Sequence, residues 1–149
     1  MDLSLVEYQA LAELRYQIRR YVHFSEEQAR QHGLEPQQHQ LLLAIKGLPE
    51  GARATIGELA VRLQLKHHST VELVDRLAQH GYVFRSAGQD DRREVLVRLS
   101  GPGGRILRSL SLAHQQELKT AGPALGTALR ALRKARRTRS KHSGAGHAA

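Results

Sequence analysis

A mainly α-helical fold carrying a small β-wing is predicted by three features of the chain. Apolar residues recur at three- and four-residue spacings along most of its length, the mark of helices with one buried side. Within residues 55–80, two such patterns are separated only by Gln64-Leu65, room for nothing but a tight turn. Two strand-like runs, residues 82–85 and 94–99, then flank the polar loop SAGQDDRR. Helix, turn, helix, strand, loop, strand is the order of a winged helix-turn-helix, which sets one helix in the major groove of DNA and a loop beside it. The N- and C-terminal helices around it are expected to be dimerisation helices.

The first helical pattern covers residues 3–31. Leu3, Val6, Ala10, Leu14, Ile18, Tyr21 and Val22 form its apolar stripe, no proline interrupts it, and Gly33 is a fitting stop. About 28 residues make a helix of roughly 42 Å. That is longer than a small globule needs, so part of the stripe is expected to meet a partner. Pro36 suits the first position of a second helix, with Leu41, Leu42 and Ile45 on its buried side and Gly47 closing it. Residues 48–54, LPEGARA, form a link expected to pair briefly at the edge of the wing.

Thr55-Ile56-Gly57-Glu58 fits a capping box, with the Thr hydroxyl on the Glu58 amide and the Glu carboxylate reaching back to Thr55. The helix it opens buries Ile56, Leu59, Ala60 and Leu63, and Leu65 anchors the turn. The next helix covers residues 66–80, buries Val71, Leu73, Val74 and Leu77, and ends at Gly81. Ser100 is the expected cap of the helix after the wing, which carries Ile106, Leu107, Leu110, Leu112 and Leu118 to about residue 119. Gly122-Pro123 is expected to break it. Leu125, Leu129 and Leu132 continue a last helical piece to about residue 136, and residues 138–149 read as a disordered basic tail.

A chain of 149 residues suits one domain with dimerising extensions. The expected division is an N-terminal helix over 1–33, the winged domain over 34–100, C-terminal dimerisation helices over 101–137 and the tail over 138–149. The net charge is +9, and six of those nine charges lie after Ala131, where no acid is present. Such a balance suits a polyanionic partner. The absence of cysteine excludes disulfides, thiolate zinc sites and cysteine redox switches. No run approaches the roughly 18 apolar residues of a membrane span, so a cytoplasmic protein with no membrane partner is expected.

Three segments give the chain its resemblance to a known family. LEPQQHQLLLAI is similar to an opening of the second helix, TIGELAVRLQLKHHSTVELVDRLAQHGYVFR to a helix-turn-helix, and DDRREVLVRLSGPGG to an Asp-x-Arg wing with its return strand and the next helix start. In this order they resemble the MarR family of transcriptional regulators, dimeric winged-helix DNA-binding proteins, over about residues 3–136. The chain departs from the family at Glu35, where a Thr or Ser cap is common, at Glu72, where Arg is frequent, and in its short, basic C-terminal end.

The resemblance implies a homodimeric, sequence-specific regulator of the repressor type on a pseudopalindromic double-stranded operator. Base reading then falls to the helix and phosphate or minor-groove contact to the wing. Lys66, His67, His68 and Ser69 open the recognition helix, with Thr70 a further candidate if the helix lies deep. Glu72 repels phosphate but can accept a hydrogen bond from a cytosine amino group. In the wing, the resemblance implies that Asp91 positions Arg93 and that an arginine, Arg93 or Arg92, enters the minor groove. Arg76 is a candidate phosphate contact, or a partner of Asp75 or of a neighbouring helix.

Small anionic or phenolic effectors are also implied by the resemblance, between the dimerising helices and the winged domain. Arg15, Tyr16, Arg19, His23 and His39 are the polar candidates for that crevice. Nine histidines raise a metal site, but none form an i, i+4 pair, so no metal and no cofactor is expected. Enzymatic motifs are missing: Gly101-Pro102-Gly103-Gly104 lacks the Lys-Ser/Thr of a phosphate loop. Two other readings compete, an architectural nucleic-acid-binding protein driven by the basic tail and a winged-helix protein-interaction module.

Overall fold

The computed structural model describes residues 2–144. In chain order it holds α1 (Leu5–Gln31), α2 (Pro36–Lys46), α3 (Ile56–Leu63), α4 (His67–Gln79), β1 (Val83–Ala87), β2 (Val95–Leu99) and α5 (Gly101–Gly144). Two compact units result, one from residues up to Ser25 with those from Ala113 onward, the other from Glu26 to Leu112. The second unit is the winged helix-turn-helix. Its core joins Leu41 and Leu42 of α2, Ile56 and Leu59 of α3, and Leu73, Val74 and Leu77 of α4. Val83 and Val97 of the strands close it, with Ala29, Leu107 and Leu110 from the helix segments that belong to this unit.

Local chemistry explains the boundaries. Thr55 caps α3 by accepting the Glu58 amide at 3.1 Å. The reciprocal half of the expected box is not made: the Glu58 carboxylate turns instead to Arg62, one helical turn on, at 3.0 Å. At α2 the Glu35 amide donates to Gln38 Oε1 at 2.9 Å, so a glutamate cap still completes one side of a box. The turn between α3 and α4 rests on Gln64, a left-handed residue with φ 54°, after which the Leu65 amide bonds back to the Ala60 carbonyl at 3.0 Å. Gly81 ends α4 in the same way with φ 76°, passing the Tyr82 amide to the Leu77 carbonyl at 2.9 Å.

The hairpin is antiparallel, Val83 opposite Leu99 and Ala87 opposite Val95. β1 extends two residues beyond the expected strand. The expected edge pairing of the link is present: Thr55 bridges to Leu96, and the Val97 amide donates to the Ala54 carbonyl at 2.9 Å. Ser100 then ties the hairpin to the helix behind it. Its amide donates to the Tyr82 carbonyl (3.0 Å), its hydroxyl donates to the Gly81 carbonyl (2.5 Å), and the same oxygen accepts the Gly103 amide (3.1 Å). Gly103 lies so close to β1 that a Cβ there would stand 2.0 Å from the Tyr82 carbonyl oxygen.

In the other unit, α1 opens on a complete capping box. The Ser4 amide and hydroxyl both donate to Glu7 Oε2 (2.9 and 3.0 Å), and the Glu7 amide donates to the Ser4 hydroxyl (3.3 Å). Glu7 is buried and also meets Arg139 of α5 at 3.3 Å.

The last helix corrects two expectations. Gly122-Pro123 does not break it, and α5 runs through Pro123 to Gly144. Proline removes one backbone hydrogen bond and disfavours a helix interior by about 3 kcal/mol. Burial of Ala128 and Ala135 and the Glu7–Arg139 pair hold the distal part helical in spite of it. Residues 138–144, expected to be disordered, therefore continue the helix, and the remainder of that tail lies outside the described residues.

Gly103→Ala is expected to destabilise the protein by about 2 kcal/mol or more, because backbone rather than a flexible side chain must yield. Gly104, with nothing within 4 Å of its added Cβ, is the control. There alanine is expected to gain about 0.5–1 kcal/mol, with both read from urea unfolding.

A pH effect is expected at Glu7. The Ser4 amide holds its carboxyl below the ordinary value against the opposing effect of burial, with help from the Ser4 hydroxyl and Arg139. The stabilisation is present above the ordinary carboxylate range and is lost as pH falls through the depressed folded value. Unfolding curves of Glu7→Gln and the parent are expected to differ most near neutrality and to converge on acidification.

Candidate nucleic-acid interface

Lys66 precedes α4, and its extended backbone (φ −69°, ψ 153°) occupies the cap position without a side-chain cap bond. Lysine carries no acceptor, so the first-turn amides keep the positive end of the helix dipole open to an anion. Lys66, His67, His68 and Glu72 are exposed, and Ser69 is half-buried. Thr70 is different. It is completely buried, with its hydroxyl donating to the Lys66 carbonyl at 3.0 Å. The helix register turns it toward the core, which removes it from the reading set.

The wing presents the expected arginine. Asp91 accepts both the Arg93 backbone amide (3.0 Å) and its Nε (3.2 Å), so one carboxylate fixes the turn and the direction of the guanidinium stem. The Arg93 side chain nevertheless remains 92% exposed. Arg92 is exposed beside it. Gly88 permits this loop, since a Cβ there would lie 2.7 Å from the Asp91 carbonyl oxygen. At the base of the loop, Glu94 pairs with Arg53 of the link at 2.6 Å.

Helix and wing share a cleft of about 310 Å³ whose lining includes His67 and Val71 from α4, Arg85 from β1 and Arg93 and Glu94 from the wing. Arg85 is the member that sequence reasoning missed. It pairs with Asp75 of α4 at 2.5 Å, so the packing of β1 against α4 brings the two together. Asp75 is thus engaged by β1, not by Arg76. Arg76 is exposed and borders a separate depression with Glu35, Gln38 and Leu73.

The effector candidates divide. Arg15, Tyr16, Arg19 and His23 are exposed along one side of α1, with Arg20 also placed over the Tyr16 ring at 5.8 Å. His39 is buried in α2, in the other unit. One buried polar pair of the α1–α5 unit was not announced by the sequence: His114 Nε2 lies 2.8 Å from the Ser25 hydroxyl, with Tyr21 and Phe24 edge-on to the imidazole. Burial pushes the Tyr21 phenol above its ordinary pKa.

A winged helix-turn-helix with an exposed helix start and an aspartate-held arginine at the wing defines a class, the winged helix-turn-helix proteins. Within it, residues 32–94 match the model of the MarR family. An uncharacterised HTH-type transcriptional regulator of Bacillus subtilis, YsmB, is 30% identical over 89 residues, 60% of this chain and 59% of that protein. The match therefore spans about three-fifths of that relative's length. Among solved structures, AbsC, a MarR family transcriptional regulator from Streptomyces coelicolor, superposes with a TM-score of 0.72 at 20% identity, covering 97% of this chain and 99% of that one. A mutant MarR from E. coli complexed with operator DNA gives 0.63 at 23% identity, covering 80% and 88%.

Because Asp91 and Arg93 are exposed, Asp91→Ala and Arg93→Ala are each expected to change unfolding free energy by no more than about 0.5 kcal/mol. A loss above about 1.5 kcal/mol in thermal or urea unfolding would make the pair a structural clasp.

Proposed function

We propose that this protein is a MarR-type homodimeric transcriptional regulator that reads a pseudopalindromic operator in duplex DNA and acts as a repressor. The observation that carries the reading is the shared cleft, in which His67 of α4 and Arg93 of the wing line one concave surface. Lys66, His67, His68 and Ser69 are the base and phosphate readers, Glu72 accepts from cytosine, and Arg93, with Arg92 beside it, enters the minor groove. Arg76 contacts phosphate.

Pairing of two copies is supported by α1. Leu5, Val6, Tyr8, Leu11, Ile18 and Val22 are all at least 40% exposed on it, an apolar surface that a single copy leaves in water. The exposed Arg15, Tyr16, Arg19 and His23 suit a small anionic or phenolic ligand that relieves binding. A cytoplasmic location follows from the DNA target.

Selection of bound sequences from a random duplex pool at about 150 mM salt tests the reading. An inverted repeat with half-sites about one helical turn apart is expected. On the recovered operator, Arg93→Ala is expected to weaken binding by about 1–3 kcal/mol and relax preference at the flanking A·T positions. Binding without any recoverable motif would overturn the assignment of α4 as a sequence reader.

A further inference from the structure

We infer that the distal part of α5 forms a second duplex-DNA contact, a phosphate-binding stripe that is separate from the winged domain and indifferent to sequence. Arg130, Arg133, Lys134, Arg137 and Lys141, with Thr138, line one depression of about 390 Å³. At helical periodicity these five cations fall within about 100° of the circumference, along about 16 Å of helix axis. Duplex DNA presents about ten phosphates over that length.

The stripe is built at a cost. Like charges three and four residues apart on a helix repel one another. Five arginines elsewhere are offset by acids, Arg30 by Glu26, Arg53 by Glu94, Arg62 by Glu58, Arg85 by Asp75 and Arg93 by Asp91. After Glu117 the sequence contains no acid. Among the described residues, none of the five stripe cations has an ion-pair partner. Arg139, which does have one in Glu7, points to the opposite side of the helix, as do the buried Ala128 and Ala135.

Three properties select the occupant. Ala128 and Ala135 of this segment are buried, and no aromatic residue follows Phe84, so the helix lacks the aromatic anchors with which amphipathic helices hold a lipid surface. The same lack of aromatics leaves nothing on which unpaired bases could stack, which disfavours single strands. What remains is a row of solvated cations matched to the regular phosphates of a duplex. This inference rests on the regulator reading only in taking duplex DNA as the common target.

The test uses the full chain and two duplexes of equal length, one carrying the selected operator and one unrelated, titrated over a range of salt. The variant R133A/R137A/K141A keeps helix propensity while removing three charges. It is expected to retain operator preference but to lower the slope of log affinity against log salt by about 2–3 on the unrelated duplex, at about 0.9 per phosphate released. R133K/R137K, which keeps the charge, is expected to leave the slope unchanged.

Equal slopes for the alanine variant and the parent would overturn the stripe while leaving the regulator reading intact. So would a change in oligomeric mass by light scattering with no change of slope, which would make the stripe a protein contact. Stripe-dependent binding to phosphatidylglycerol vesicles that is tighter than to the unrelated duplex would assign it to lipid instead. If the parent binds neither duplex, both readings fail together.

Discussion

The hairpin and α4 hold their relation to each other because three chain segments converge on the carbonyls of Gly81 and Tyr82. Ser100 supplies the bonds, one from its amide and one from its hydroxyl, and Gly103 supplies the space. Both accepting carbonyls sit where α4 has just ended, and both donors sit where β2 gives way to α5. The hairpin is thereby clamped at its base, and the register of β1 against β2 transmits that position outward to Arg85 and the loop. A wing attached only through its two strands would swing. This one is referenced to the C-terminus of the same helix whose N-terminus it flanks.

Short-range chemistry made most of the winged domain legible. The stop at Gly81, the cap at Thr55 and the turn at Gln64-Leu65 are each decided by atoms within five residues of one another, so the local pattern carried them. Asp91 and Arg93 are two residues apart, and their pairing could be anticipated for the same reason. The failures share the opposite property. Arg85 of β1 meets Asp75 across the packing of strand on helix, and Ser25 meets His114 across 89 residues of chain. Neither partner announces the other in the sequence.

Pro123 and Thr70 show two further ways in which local reading is overridden. Proline is a strong helix breaker by propensity, yet the cost is finite, and the helix continues beyond it with Ala128 and Ala135 buried and Arg139 paired with Glu7. Thr70 looked polar and stood in the right stretch. Its position in the turn decides the matter, because its hydroxyl is satisfied by its own helix and its methyl faces the core. The Ser4–Glu7 box is readable from spacing alone, as Ser-x-x-Glu before an apolar run, but the competing apolar signal at Leu3 sets the expected start two residues before Leu5.

The lysine at the start of α4 has a thermodynamic consequence. Most helices carry their own acceptor at that position, and their first turn is complete whether or not anything is bound. Lys66 leaves the closing acceptor to come from outside, so an anion seated there finishes a piece of secondary structure as well as making a contact. Folding of the first turn and occupation of the surface are then linked equilibria: each stabilises the other by the same free energy. The first turn of α4 is, in this sense, an element whose last hydrogen bonds an anion can supply.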